Sequence, residues 1–255
     1  MANTHSIDLE ASSSQYLSIA NASQTNLNIT GNFTLEAWIK IESFVPNSAP
    51  YIAGVVSKGY QVSSQNSQYY IKFVNSGTEY LRFGIDTGGS SYRAVWTYTS
   101  GTDLVVDTWY HIAGIYNGTT YKLYVDGVEK ASTTSSVDPA SNSQPFTIGC
   151  EQTDGTPDRY FDGLIDDVRI WNDARTTTEI TDNMSTELVG DEAGLVGYWK
   201  LNNSLLDETS NDNDLTNNNS ATFSTDVPFS GSSIKSINGL AKASIKSRNG
   251  CDSEY

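Results

Sequence analysis

The stretch FDGLIDDVRIWN, residues 161–172, sets two carboxylates, Asp166 and Asp167, side by side among apolar, β-branched and aromatic residues. The run has strand character, and a strand sends neighbouring side chains to opposite faces. One of the two acids must therefore face inward. Alternation groups Leu164, Asp166, Val168 and Ile170 on one face, consistent with Asp166 being that acid. A buried carboxylate without a partner is costly. Two readings stay open: Asp166 holds a metal ion, or it accepts backbone hydrogen bonds and pairs with Arg169 or Lys40.

Other residues suited to chemistry are few. His111, in WYHIAGIY, is the one His away from the N-terminus, and no Ser or Cys nucleophile motif lies near it. Glu36 and Arg169 lie on segments that could be neighbouring strands and are expected to form a structural ion pair. In DTGGSSYRAVWTY, residues 86–98, alternation puts Tyr92, Trp96 and Tyr98 on one face. With Asp86 and Arg93 as polar neighbours, that set suits stacking against a sugar; it equally suits a packed strand face. Tyr69, Tyr70 and Tyr80 would extend it. The loop 151–160, EQTDGTPDRY, carries Asp154 and Asp158, as a second cation site or as an ordinary solvated turn.

Strands must position these residues. FTLEAWIKI (33–41), YIAGVVS (51–57), YYIKFVN (69–75), EYLRFGI (79–85) and YRAVWTY (92–98) read as short strands separated by Gly, Ser and Asn. Trp38, Trp109 and Trp199 fall in strong strand patterns and are expected in the core. Across 109–133, Asn117-Gly118 and Asp126-Gly127 predict a three-strand meander, because both dipeptides accept the positive φ of type I′ turns. Thr176-Thr177-Thr178-Glu179 fits a capping box, and Ile180, Met184 and Leu188 follow as one apolar stripe. The expected fold is all-β: a two-sheet antiparallel jelly-roll sandwich with one short helix. A closed barrel is the alternative.

Composition agrees, with 15 Tyr, 5 Trp and 20 Gly in 255 residues. The net charge of −15 argues against a nucleic-acid partner, whose phosphates need basic clusters, and it attracts divalent cations. No run reaches transmembrane length, so membrane insertion is not expected. No basic-then-apolar leader opens the sequence. The expected location is extracellular or on a virion surface. Two cysteines, Cys150 and Cys251, do not make a disulfide framework.

Three segments in order, FTLEAWIKI, DTWYHIAGIYNGTTYKLYVDGV and FDGLIDDVRIWNDARTTTEI, resemble the laminin-G-like domains of the concanavalin-A-like lectins and glucanases. IDLEASSSQYLSI and LVGYWKLNNSLLDETSNDNDLT extend the resemblance over residues 5–229. It implies a calcium ion tying the first strand to a late one. Asp166 matches the family's metal position and Asp167 follows it; Asp8 is the partner, and the Gly31 carbonyl completes the set. Calcium accepts six to eight oxygens in loose geometry, and the His and Cys ligands of zinc are missing here. A glucanase would carry a Glu-x-Asp-x-x-Glu strand with carboxyls roughly 5–5.5 Å apart. The sequence has none, so no enzyme is expected.

The resemblance therefore implies a non-catalytic binding or adhesion module recognising a glycan or a surface protein. The alternative is a structural component of an extracellular or viral assembly, a fibre or capsid decoration. Residues 1–229 are expected to form the sandwich and 230–255 a basic tail. There SIKSING (233–239) recurs as SIKSRNG (244–250), which points to self-assembly or attachment.

Overall fold

The computed structural model describes residues 3–44, 51–61, 67–87, 90–153, 155–229, 236–237 and 240–241. In chain order the strands are β1 (Ser6–Leu9), β2 (Tyr16–Ile19), β3 (Phe33–Ile41), β4 (Tyr51–Lys58), β5 (Tyr60–Gln61) and β6 (Tyr69–Asn75). Next come β7 (Glu79–Thr87), β8 (Ser90–Thr97), β9 (Trp109–Tyr116), β10 (Thr120–Val125), β11 (Val128–Thr134) and β12 (Phe146–Ile148). Then follow β13 (Glu151–Thr153), β14 (Thr156–Asp158), β15 (Gly163–Trp171), α1 (Thr177–Asn183), β16 (Leu195–Trp199), β17 (Thr216–Asn218) and β18 (Thr222–Ser224).

One sheet runs β11-β10-β9-β3-β15-β1-β18, with β16 also on β15. The other runs β17-β2-β12-β4-β6-β7-β8. A small sheet, β14-β13-β5, packs over β4, where a Cβ on Gly54 would lie 2.4 Å from the Cys150 backbone. Alternate apolar residues of the two large sheets fill one core, with Ile7, Leu35, Ile39 and Ile165 facing Leu17, Ile71, Phe83 and Phe146. At Gly114 a Cβ would stand 2.1 Å from the Phe83 ring, so the sheets meet there without room for a side chain. The sandwich expected from the strand pattern is the fold observed.

Alternation fails in β15. Asp166 lies opposite Trp38 of β3, and Arg169 lies opposite Glu36, so the register shifts by one residue between them. Asp167 takes up the extra residue with φ at 48°, a left-handed conformation that Asp tolerates. Ile165, Val168 and Ile170 consequently all face the core, while Asp166 lies on the other face. This corrects the grouping of Asp166 with Val168 and Ile170: the acid is buried, but behind its sheet rather than between the sheets.

The turns differ in detail. Asp126 (φ 49°) and Gly127 (φ 72°) form the expected positive-φ pair. At Asn117-Gly118 only Gly118 is left-handed, and the Asn117 side chain instead accepts the N–H groups of Thr119 and Thr120. The helix opens on the expected capping box, with Thr176 accepting from the Glu179 N–H and Glu179 accepting from Thr176. It ends at Asn183, so Leu188 does not continue the Ile180 stripe; it packs on Trp171, Leu195 and Tyr198. Trp199 is core, Trp38 is buried edge-on to His111, and Trp109 is only half-buried, donating to Asp226. Cys150 is a buried free thiol, pushed up to about 12 by burial. No helix among the described residues is long and apolar enough to cross a membrane. Ser236–Ile237 pairs antiparallel with Leu240–Ala241. The remaining expectations for the tail, and for Asp154, lie outside the described residues.

Candidate binding site

The residues expected to hold calcium are placed in different settings. Asp166 is fully buried; its Oδ2 accepts from Asn3 Nδ2 at 2.6 Å and its Oδ1 from the Asp167 N–H at 2.9 Å. Burial holds its carboxyl well above the usual range, the Asn3 hydrogen bond opposes this, and the Asp167 charge adds to it. Asp167 accepts from both Nε (2.7 Å) and Nη2 (2.9 Å) of Arg169. The same guanidinium donates to the carbonyls of Asn183 and Thr186. Arg169 is thus paired with Asp167, not with Glu36 as expected. Glu36 accepts from Trp171 Nε1 at 2.7 Å and stands 3.3 Å from His111 Nε2. Glu36 and His111 are 2% and 1% exposed, too enclosed to meet a substrate. Gly31 precedes β3 with open space beside its Cα.

Asp8 has acidic company that the sequence reading missed. Its carboxylate lies with those of Glu10 and Glu42, all within 4.8 Å of one another. The Asp8 Oδ1 is buried without a hydrogen-bond partner. Burial raises the pKa of Asp8, with the Asp162 charge second, and burial raises that of Glu42, with Asp8 and Glu10 next. The nearby cation, Lys40, is committed to Asp226 at 2.6 Å. Crowded carboxylates around an orphaned oxygen fit a hard divalent cation. Asp8 comes from β1, and Glu10 and Glu42 are the residues that follow β1 and β3, which only strand order brings together.

An apolar cleft adjoins this cluster. Phe73 stacks on Phe161 at 6.2 Å and meets Tyr98 edge-on at 5.8 Å, and Phe44 lies 6.1 Å from Tyr98. Ser43 and Asp162 line the same cleft, with the Ser43 hydroxyl donating to Asp162. Asn75, Glu79 and Tyr98 continue it into a groove of ≈ 410 Å³ beside Thr97 and Ser100. Glu79 accepts there from the Ser100 N–H.

Of the expected sugar-stacking set, only Tyr98 reaches this cleft. Tyr92 and Trp96 pack half-buried against the core. Asp86 and Arg93 belong to the outer face of β7 and β8, because the pleat sends them away from the apolar residues. The set is therefore not one surface. Tyr69 is buried, donating to the Leu27 carbonyl; Tyr70 is buried beside Asp86, and Tyr80 is half-buried.

No curated protein matches the chain. Among solved structures, a Bacteroides ovatus protein described as a candidate carbohydrate binder is similar at a TM-score of 0.66 and 22% identity, over 88% of this chain and 60% of that one. This chain thus spans about three fifths of that protein. A heptameric SAP-like pentraxin of Limulus polyphemus is similar at 0.58 and 15%, over 87% and 94%. The enzymatically active domain of bacteriophage CBA120 tailspike protein 2 is similar at 0.52 and 14%, over 80% and 34%. At such identities the likeness is one of fold. The family model Laminin_G_3, described as the concanavalin A-like lectin/glucanases superfamily, matches residues 11–181. With that match and the two antiparallel sheets, the chain belongs to the laminin G family of the concanavalin A-like superfamily.

Proposed function

We propose that the protein is a non-catalytic module that binds a glycan in the cleft at Tyr98, displayed on an extracellular or virion surface. The observation that carries this reading is the aromatic cleft itself. Phe44 and the edge of the largely buried Tyr98 border its mouth, and the buried Phe73 and Phe161 form its floor. Ser43, Asn75, Glu79 and Asp162 offer polar groups at its edge, where it opens into the groove of ≈ 410 Å³. An apolar concavity with a few convergent polar groups is the general form of a small-ligand site. The carbohydrate-binding description of the Bacteroides protein supports the choice of ligand. The cleft's carboxylates are engaged, Asp162 by Ser43 and Ala11 and Glu79 by Ser100, which favours binding over hydrolysis.

Calcium at Asp8, Glu10 and Glu42 is part of the proposal. Bound there, the ion would neutralise the crowded carboxylates and fix the wall of the cleft. A second reading, a decoration in an extracellular or viral assembly, is favoured by the repeated SIKS segments of the tail; the two roles are compatible.

The test is titration calorimetry against a panel of neutral and charged oligosaccharides, with Tyr98→Ala beside the wild type. The variant is expected to lose roughly tenfold in affinity, as stacked aromatics at binding sites do. Absence of binding across the panel would sink the glycan reading.

A further inference from the structure

The outer face of β6, β7 and β8 gathers positive charge on a strongly acidic molecule. Lys72 stands directly opposite Arg82 across β6 and β7, and Arg93 stands opposite Gly84 across β7 and β8. Arg159, beside the small sheet, reaches the same network. Four of the 15 basic residues thus meet there, against two acids, Asp86 and Glu151.

Those acids are already taken. Glu151 Oε1 lies 2.6 Å from Lys72 Nζ and its Oε2 lies 3.0 Å from Arg159 Nη1. Asp86 lies 3.9 Å from Lys72 and accepts from Tyr70. Among the described residues, neither Arg82 nor Arg93 has a carboxylate at ion-pair distance. Arg82 Nε is buried without a hydrogen-bond partner. Burial first, and the Arg93 charge second, lower its pKa from the ordinary value.

The two guanidinium groups are nonetheless held in place. Arg82 stacks over the Tyr80 ring, 5.0 Å from its centre. Arg93 lies against the Tyr70 hydroxyl. Gly84 sits between Tyr70 and Arg93 in the cross-strand row, and a Cβ there would fall 2.6 Å from Arg93 Cβ. The glycine therefore lets the Arg93 stem lie directly against the β7 backbone, with no room for a side chain between them. Two ordered guanidinium groups on neighbouring strands, neither paired with a carboxylate, are the donor set that carboxylate and sulfate groups require.

We propose that this face is a second binding surface, at which Arg82 and Arg93 recognise the acidic groups of an anionic saccharide. Only the choice of a saccharide as carrier rests on the glycan-binding reading; the anion is recognised by the arginines themselves. This surface is separate from the aromatic cleft, so the two can be tested apart.

The experiment compares three oligosaccharides of matched length by calorimetry: neutral galacto-oligosaccharide, oligogalacturonate, and sulfated galacto-oligosaccharide. At least one anionic form is expected to bind roughly tenfold more tightly than the neutral one, the worth of one charge-assisted contact pair. The advantage should shrink as salt is raised. It should vanish in Arg82→Gln/Arg93→Gln, while Arg82→Lys keeps part of it; matching thermal melts establish that the variants are folded. Which anionic form wins separates carboxylate from sulfate recognition. Neutral binding without an anionic advantage, or an advantage that survives the double variant, overturns this inference alone. Anionic binding that Tyr98→Ala leaves intact and the double variant abolishes upholds it, whereas neutral binding that Tyr98→Ala also leaves intact overturns the cleft reading alone. No binding by any of the three overturns both.

Discussion

The carboxylate of Asp166 shows how one residue can be read correctly and for the wrong neighbours. Its burial was legible in the apolar run around it. Its partners were not, because Asn3 lies 163 residues away and the left-handed Asp167 reverses the faces that alternation assigns. The pKa of Asp166 is raised in the folded state by burial. The folded protein therefore holds this proton at a pH where the unfolded chain has lost it. As pH rises above the unfolded value, near 3.8, the group costs stability. Asp166→Asn removes the charge, keeps the oxygen facing the Asp167 N–H, and lets a turned Asn3 amide use its orphaned Oδ1. Thermal melts should show the variant gaining a few degrees over wild type at pH 8, about 1 kcal/mol for a domain of this size, and the gain shrinking toward pH 4. A loss at pH 8 would mean that the negative charge is needed, as a metal ligand would need it.

Among elements, legibility followed sequence separation. The capping box of α1 spans four residues and was found; the strand patterns are local and were found; so was the Asp126-Gly127 turn. The acid cluster draws on β1 and on Glu42 after β3, with β15 lying between those strands, and strand order is not written in any one segment. The sugar-stacking set failed for a related reason: its residues are contiguous, but the pleat divides them between two faces. What fastens α1 to the sheet was also hidden, since Arg169 spends its charge on Asp167 two residues away and its remaining donors on Asn183 and Thr186. Arg169→Met leaves the fully enclosed Asp167 without its cation. A loss of about 3–5 kcal/mol is expected in urea unfolding. The double variant Arg169→Met/Asp167→Asn should recover part of it, because Asn removes the orphaned charge while keeping the left-handed conformation, and the two costs are coupled. Additive losses would show that the pair is not a unit.

For the whole molecule, the net charge of −15 makes cations and pH the natural controls. Asp8 and Glu42 both have raised pKa values in the fold, from burial first. Their folded forms are protonated at a pH where the unfolded forms are not, so stability should fall as pH rises from about 4 toward neutrality in chelator. Calcium should reverse that fall, by about 2.7 kcal/mol at a hundredfold excess over Kd. Scanning calorimetry with calcium and with chelator checks this, and Asp8→Asn/Glu42→Gln should erase the difference; coincident wild-type curves would remove the metal from the account. The strand order carries a mechanical consequence as well. β1 lies between β15 and β18, and Ser6 stands opposite Ser224. A pull entering before Ser6 and leaving after Ser224 meets both strands at the same end. The β1–β18 rungs then open singly, like a zip, instead of resisting together in shear. Strung between tethers, the module would hang as a pendant with its two attachment points side by side, and under load that rim would peel before the sandwich gave way.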